Sequence, residues 1–266
     1  MTEEVLVLGH KGMLGNAVQG FLSANSFKVA TIEHRWETDE FKRRIRDFKG
    51  SHIVNCIGIF KQTNDSEMRR VNLDLPVWIS KNNEAMQLVA GSDAEFSGQA
   101  TPGRGYAPDA VADPVDEYGK LKHELSLFAS HSNNMKIIRC SIIGVEIGTA
   151  KSLLSWFLAK QDGTHITGYT NHIWNGITTL QWARLCLRYI KEQSPFKNEE
   201  HQNILQPVSS PISKFNLLKT MNEVFSKQVI IEEGKAPVTL NRSLLPGLAC
   251  PEIKTQLKEL KEYYGL

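Results

Sequence analysis

Tyr118 and Lys122 are the residues whose types and spacing point most directly to chemistry. They lie four residues apart in a segment where Leu121 and Leu125 predict an amphipathic helix. On such a helix the two side chains share one face. A lysine ammonium beside a partly desolvated phenol lowers the pKa of the tyrosine and prepares it to deliver a proton to a carbonyl oxygen. Because the chain contains six tyrosines, such a pair also arises by chance.

Ser92 is a candidate partner for this pair. It follows the apolar run of residues 87–90, which predicts a strand, so its hydroxyl would lie near the strand's carboxyl end. There it could hydrogen-bond the substrate oxygen that Tyr118 protonates. A serine at this position is equally typical of a hydroxyl that caps a loop, and the residues alone leave both interpretations open.

Three glycines near the amino terminus predict a turn that binds a pyrophosphate. Gly9, Gly12 and Gly15 form a G-x-x-G-x-x-G pattern between the apolar run of residues 5–8 and a segment with helical periodicity. Glycine permits positive φ and a close approach of the main chain, while the helix N-terminus supplies free N–H groups and a positive dipole. The pattern favours dinucleotide binding over a tight turn without a ligand.

The residues after the second predicted strand bear on which dinucleotide is bound. Glu33 would hold the ribose diol of NAD, whereas Arg35, after His34, would favour the 2′-phosphate of NADP. Lys11 inside the glycine turn adds a second cation that could share this phosphate. We therefore expect NADPH, with NADH as the alternative if Arg35 is only solvated.

Strand-like runs alternate with helical periodicity through the first 145 residues. The predicted strands are residues 5–8, 27–32, 52–57, 87–90 and 136–139. This alternation predicts an α/β fold with a Rossmann-type, doubly wound parallel sheet. Later helices are predicted at residues 152–160, 179–190, 214–225 and 251–264. We therefore divide the chain into an NAD(P)-binding Rossmann domain, residues 1–145, and a smaller carboxyl-terminal substrate-binding region, residues 146–266, that shares its core.

Composition and charge argue against several other classes of protein. With 41% hydrophobic and 23% charged residues, the chain resembles ordinary globular proteins rather than disordered ones. The net charge of +2 argues against nucleic acid as a partner. The four cysteines are widely spaced and the histidines are scattered, so we expect reduced thiols and no metal site. Without a signal peptide or a membrane-spanning run, we expect a cytoplasmic protein that does not bind membranes, and a homodimer is possible.

The order of the motifs resembles that of extended short-chain dehydrogenases/reductases over nearly the whole chain. Within that family the sequence is most similar to the dTDP-4-dehydrorhamnose reductase group of sugar-nucleotide reductases. The later stretches 171–179 and 241–244 resemble that group's substrate-binding segments. The motifs that carry the resemblance are the glycine turn, residues 54–56, Val71-Asn72 with Pro76, residues 92–98, Tyr118 with Lys122, and Ile138-Arg139.

The resemblance implies a role for each matching residue. Ser92, Tyr118 and Lys122 would form the catalytic triad. The implied cofactor-binding residues are Gly9, Lys11, Gly12, Met13, Leu14, Gly15, Glu33, His34, Arg35, Asn55, Cys56, Ile57, Gly58, Tyr118 and Lys122. The implied substrate-binding residues are Ser92, Asn171, Trp174, Asn175 and Arg242. Any single tryptophan is more often part of a core, but the polar neighbours of Trp174 favour it as a site residue.

The resemblance also implies a reaction, the NADPH-dependent reduction of a 4-keto-6-deoxy sugar carried on a nucleoside diphosphate. The glycine turn is similar to the G-H-R-G-M-V-G of GDP-fucose synthase, whose basic residue helps bind the 2′-phosphate and falls at Lys11. The acid/base cysteine of that enzyme falls at Ala94. A methyl group cannot exchange protons, so reduction is favoured over epimerisation. The alternatives are a sugar-nucleotide epimerase or epimerase/reductase, and a regulatory subunit that binds the cofactor without catalysis.

Overall fold

A parallel sheet of six strands forms the framework of the molecule. The computed structural model describes residues 4–60, 64–101, 103–192 and 203–266. The strands are β1 (Glu4–Leu8), β2 (Lys28–Thr31), β3 (His52–Asn55), β4 (Met86–Ala90), β5 (Met135–Ile138), β6 (Ile142–Ile143), β7 (His165–Tyr169), β8 (His172–Trp174), β9 (Ile177–Thr178), β10 (Ile204–Leu205), β11 (Pro207–Val208), β12 (Ile212–Ser213), β13 (Ile230–Gly234), β14 (Leu240–Asn241) and β15 (Leu248–Ala249). The large sheet has the order β10-β5-β4-β3-β1-β2.

Helices connect the strands of this sheet and build most of the carboxyl-terminal region. They are α1 (Met13–Ala24), α2 (Asp39–Asp47), α3 (Asp65–Arg69), α4 (Leu75–Asn82), α5 (Glu117–Ser130), α6 (Leu153–Leu158), α7 (Thr179–Glu192), α8 (Lys214–Val224) and α9 (Ile253–Tyr264). A π-helical turn, Arg70–Asp74, joins α3 to α4, and a 3-10 turn, Asp93–Glu95, follows β4. The prediction of an α/β fold with a Rossmann-type parallel sheet is therefore confirmed.

The strand order fixes where a ligand can enter. β1 pairs with β2 on one side and with β3 on the other, and Leu8 lies opposite Asn55 in the register of β1 and β3. The chain therefore changes direction across the sheet at the carboxyl ends of β1 and β3. In open α/β sheets, ligands bind in the crevice that such a reversal leaves. The glycine turn follows β1 and therefore lies at this crevice.

The predicted elements all occur, with ends shifted by a few residues. Each of the five predicted runs overlaps one of the strands β1 to β5, and β1, β4 and β5 each begin one residue before the predicted run. The predicted later helices are α6 to α9. In α2, Phe41 and Ile45 are fully buried, and Thr38 caps the helix by accepting a hydrogen bond from the N–H of Phe41 at 3.3 Å.

The boundary at residue 145 stays a prediction, because elements from both sides of it build the same layers. β10 pairs in parallel with β5 and becomes the sixth strand of the sheet. α7 packs along α1, and its fully buried Trp182 belongs to a core cluster with Val5 and Val18. A second cluster joins the buried faces of α6, α8 and α9.

Two kinds of feature are absent from the described residues. Among the helices in these ranges, none combines the length and the apolar character that crossing a membrane requires. The same ranges contain no group of three or more histidine, cysteine or acidic side chains that could hold a metal ion.

Candidate active site

The glycine turn has the geometry that a dinucleotide requires. Gly9 has a φ of +74°, a backbone conformation that favours glycine. The N–H of Gly12 donates a hydrogen bond to the carbonyl oxygen of Gly9 at 2.9 Å. A Cβ on Gly15 would lie 2.1 Å from the same oxygen, so only glycine allows α1 to start this close to β1. Gly12 is the N-cap of α1 and no side chain caps the helix. The first N–H groups of the helix, those of Met13, Leu14 and Gly15, therefore remain available for a pyrophosphate.

The side chains beyond the glycine turn combine opposite charges. Lys11 Nζ lies 3.2 Å from Glu33 Oε2, and His10 Nε2 lies 3.9 Å from Glu33 Oε1. His34 and Arg35 are exposed beside them. Lys11 therefore occupies the place where the sequence predicts a phosphate contact, but it is paired with the carboxylate expected to hold a ribose. The preference between NADPH and NADH stays a prediction.

The carboxyl end of β3 forms the next wall of the crevice. Asn55 is buried, and its Oδ1 accepts a hydrogen bond from the N–H of Ile57 at 3.1 Å. Burial raises the pKa of the Cys56 thiol, so this cysteine is uncharged. Asn72, from the π-helical turn, accepts from the N–H of Ile59 at 3.2 Å and donates to its carbonyl oxygen at 2.6 Å. These bonds fix the path of the main chain around Gly58.

Ser92 and Tyr118 come together from two different elements. Ser92 follows β4 and caps the 3-10 turn by accepting a hydrogen bond from the N–H of Ala94 at 3.1 Å. Tyr118 lies in the first turn of α5, whose N-cap Asp116 accepts from the N–H of Gly119 at 2.7 Å. The Ser92 hydroxyl faces the phenol closely enough to lower the pKa of Tyr118. Ser92 therefore caps the turn and also faces the phenol, and its hydrogen bond to a substrate oxygen stays a prediction.

Gly119 is the residue that allows this approach. A Cβ on Gly119 would lie 2.2 Å from the carbonyl oxygen of Ala94 and 3.0 Å from Pro114 Cβ. The start of α5 therefore packs directly on the turn that carries Ser92. The sequence signal was the glycine between Tyr118 and Lys120, which our sequence analysis did not use.

Lys122 completes the group from the next turn of α5. It is buried, donates from Nζ to the carbonyl oxygen of Ala90 at 2.8 Å, and lies 5.6 Å from the centre of the Tyr118 ring. Burial lowers its pKa to about 8, and the negative charge of Glu95 opposes this shift. The structure therefore brings Ser92, Tyr118 and Lys122 together at the carboxyl end of β4, which is the strand next to β3.

The pKa of Tyr118 is raised, whereas the sequence predicts that Lys122 lowers it. Burial raises the pKa of Tyr118 to about 12, and the nearby Ser92 hydroxyl only partly offsets this shift. The expected lowering by Lys122 is absent because its ammonium is directed to the main chain at Ala90. Tyr118 is therefore protonated at neutral pH, which is the form that can donate a proton.

Arg242 reaches the same turn from the carboxyl-terminal region. Burial raises the pKa of Asp93 to about 6, and the positive charge of Arg242 partly offsets this shift. The aliphatic part of Arg242 passes close to Gly98, where an added Cβ would lie 3.0 Å from Arg242 Cγ. Its Nε is buried without a hydrogen-bond partner in the structure. Of the predicted substrate residues outside the triad, Arg242 is the one that these interactions place beside it.

The other predicted substrate residues are engaged with the main chain or the core. Asn175 is buried; it donates to the carbonyl oxygen of Leu244 at 2.7 Å and accepts from its N–H at 3.0 Å. Asn171 makes the same pair of bonds with Ala236, at 2.8 and 2.9 Å. Trp174 packs against the second core cluster. These residues hold the carboxyl-terminal segment in place, and a direct contact with substrate stays a proposal for each of them.

A cavity of about 450 Å³ lies next to the carboxyl-terminal segment of residues 241–245. Asn171 lines it, together with Asn241 and the buried Ser243, whose Oγ has no hydrogen-bond partner in the structure. Arg242, which lies between Asn241 and Ser243 in the sequence, does not line the cavity, and its positive charge acts on Asp93 in the turn after Ser92.

Several solved structures with the same fold are sugar-nucleotide enzymes. A dTDP-4-dehydrorhamnose reductase from Clostridium acetobutylicum has a TM-score of 0.81 at 16% identity, covering 99% of this chain and 100% of its own. The enzyme of that name from Bacillus anthracis, in complex with NADP, has a TM-score of 0.81 at 14% identity with the same coverage. UDP-glucose 4-epimerase from Thermotoga maritima, with UDP-glucose, has a TM-score of 0.72 at 12% identity, covering 98% of both chains.

These similarities establish the fold of the chain over nearly its whole length. No protein-family model matches the sequence, and a search of curated proteins finds no match. The fold is the one that dTDP-4-dehydrorhamnose reductases share with related sugar-nucleotide enzymes, as the resemblance of the motifs implied.

Proposed function

We propose that the protein is a nicotinamide-dependent reductase that acts on a ketone of a nucleotide-linked sugar. The observation that carries this proposal is the meeting of Ser92, Tyr118 and Lys122 at the carboxyl end of β4, beside a glycine turn built for a pyrophosphate. The same fold in sugar-nucleotide enzymes supports the substrate class. The bound cofactor supplies the hydride.

Each residue of the triad has a distinct part in this proposal. Tyr118 donates its phenolic proton to the oxygen of the substrate ketone, and Ser92 orients that oxygen by a hydrogen bond. The ammonium of Lys122 would hold the ribose next to the nicotinamide of the bound cofactor. The buried, protonated state of Tyr118 suits a proton donor.

NADPH is the cofactor that we propose, with NADH as the alternative. The first N–H groups of α1 would hold the pyrophosphate. Lys11 and Arg35 would share the 2′-phosphate, and Lys11 must then exchange its contact with Glu33 for one with the phosphate. A neighbour with the same fold binds NADP, which supports this choice.

The substrate that we propose is a 4-keto-6-deoxy sugar on a nucleoside diphosphate, reduced without epimerisation. Ala94 is buried and its carbonyl oxygen packs against Gly119, so this position offers only a methyl group where epimerisation needs an acid or base. Arg242, with its unpartnered Nε, is the strongest candidate for a substrate contact from the carboxyl-terminal region. Asn171, Trp174 and Asn175 would support the segments around the substrate.

The test is NADPH oxidation with dTDP-, UDP-, GDP- and CDP-linked 4-keto-6-deoxy sugars. We expect turnover with at least one of them. Tyr118→Phe should reduce kcat by about 100-fold or more while NADPH binding, measured by fluorescence, remains near that of the wild type. Tyr263→Phe, on the outer part of α9, is the matched control and should leave both unchanged.

Two outcomes would count against this proposal. Wild-type turnover in Tyr118→Phe would remove the phenol from the role of proton donor. Tight NADPH binding without reduction of any of the four ketones would favour the cofactor-binding regulatory subunit. Solvent deuterium at the carbons next to the ketone would instead show an epimerase.

A further inference from the structure

Glu95 is a buried carboxylate that the proposed chemistry does not use. It lies in the 3-10 turn three residues after Ser92, and none of its surface is exposed. Removing a carboxylate from water is costly unless a cation and hydrogen bonds replace the lost hydration. The groups around Glu95 therefore indicate what its burial accomplishes.

The partners of Glu95 come from two other elements. Arg139, directly after β5, donates from Nε to Oε1 at 3.1 Å and from Nη2 to Oε2 at 3.0 Å. Ser126 on α5 donates to Oε1 at 2.8 Å, and His123 Nδ1 lies 3.8 Å from Oε2. One carboxylate thus joins the turn after β4, the end of β5 and α5.

The contact with α5 is made on the face that carries the proposed catalytic residues. Tyr118, Lys122 and Ser126 follow one another at intervals of four, so their side chains share one face of the helix. Ser92 caps the turn in which Glu95 lies. Glu95 therefore links the segment that carries Ser92 to the helix face that carries Tyr118 and Lys122.

The charge of Glu95 also reaches that face. It raises the pKa of Lys122 against the effect of burial, and it raises the pKa of Tyr118 and of Asp93. Within the described part of the chain, the other charged or titratable side chains that face Glu95 are the guanidinium of Arg139 and the imidazole of His123.

We propose that Glu95 is a positioning residue for the reaction, an inference that rests on the proposed function. Through Ser126 it holds α5 against the turn, so that the Ser92 hydroxyl stays beside the Tyr118 phenol. Its negative charge favours the protonated form of the buried Lys122 ammonium. Glu95 itself does not touch the reacting atoms.

Glu95→Gln tests this proposal because it keeps the shape of the side chain and removes the charge. We expect kcat to fall by about 10- to 100-fold, as for a misplaced catalytic group. The KM for the sugar and the affinity for NADPH should change by less than about threefold. The alkaline limb of the kcat profile should move to lower pH, because the lost charge no longer raises the pKa of Lys122 and Tyr118. A merely structural role would not move this limb. Ser130→Ala, on the exposed part of α5, is the control.

A measurement without substrate separates this proposal from the proposed function. In protein with 13C-labelled lysine, the signal of Lys122 is identified by its loss in Lys122→Met. Its titration, expected near pH 8 in the wild type, should move to lower pH in Glu95→Gln. A failure of the wild type to reduce any keto sugar would refute the function and leave this titration as the test of Glu95.

Ser126→Ala covers the case in which Glu95→Gln does not fold, because it keeps the ion pair with Arg139. It removes only the link to α5, so we expect kcat to fall by about three- to tenfold with an unchanged Lys122 titration. A folded Glu95→Gln variant with wild-type kcat and wild-type Lys122 titration would overturn the proposal. Wild-type kcat in Ser126→Ala would overturn the positioning of α5.

Discussion

At the scale of single residues, burial decides the state of the proposed acid. The pKa of Tyr118 rises to about 12 because the phenolate would be poorly solvated, and the lowering effect of the nearby Ser92 hydroxyl does not reverse this. Lys122, with a pKa near 8, is charged at neutral pH but donates to Ala90. Tyr118 thus keeps its proton until negative charge develops on a nearby oxygen, which is the moment at which an acid is needed.

The charged residues at the glycine turn allow a prediction on cofactor choice. Lys11→Ala should weaken NADPH binding by about tenfold and leave NADH binding nearly unchanged, because a charge-assisted contact to the 2′-phosphate is lost. Glu33→Gln should tighten NADPH binding, since it frees Lys11 and removes a charge that repels the phosphate. Dissociation constants for both nucleotides check this. Lys28→Ala, at the opposite end of β2, is the control, and equal losses for NADPH and NADH in Lys11→Ala would contradict it.

At the scale of elements, the close packing of α5 on the turn after β4 sets the geometry of the site. In Gly119→Ala, the new methyl group would lie 2.2 Å from the carbonyl oxygen of Ala94, so α5 must move away. We expect a cost in stability of about 1–3 kcal/mol and a fall in kcat of about 100-fold, because Tyr118 is carried away from Ser92. Kinetics and urea unfolding measure the two effects.

The controls for this prediction use another glycine and the cofactor. Gly247→Ala meets only ordinary contacts, the nearest at 3.5 Å on Gln206, and should leave both kcat and stability unchanged. NADPH binding by Gly119→Ala should be close to that of the wild type, since the glycine turn follows β1. A wild-type kcat in Gly119→Ala would show that the site tolerates movement of α5.

At the scale of the whole molecule, the sequence predicts what local patterns determine and misses what only the folded chain brings together. The runs at residues 5–8 and 52–57 and the periodicity of α9 identify their elements because burial imposes those patterns locally. β10 has two residues and becomes a strand only by pairing with β5, so no local signal marks it. Glu95 looks like any acidic residue of a loop until folding places Arg139 beside it.

The last prediction concerns α9, which connects the two halves of the molecule. Leu257 is fully buried in the second core cluster, while Gln256 accepts a hydrogen bond from the N–H of Thr178 at 2.9 Å and so ties α9 to the segment that starts α7. Because α7 packs on α1, the sheet and the carboxyl-terminal region should unfold as one unit. Leu257→Ala should therefore lower the free energy of unfolding by about 2–5 kcal/mol in both halves together. Hydrogen exchange in urea, followed in peptides from β1 and from α8, checks this, with the exposed Lys258→Ala as control. Loss of protection in the α8 peptides alone would show two units instead of one.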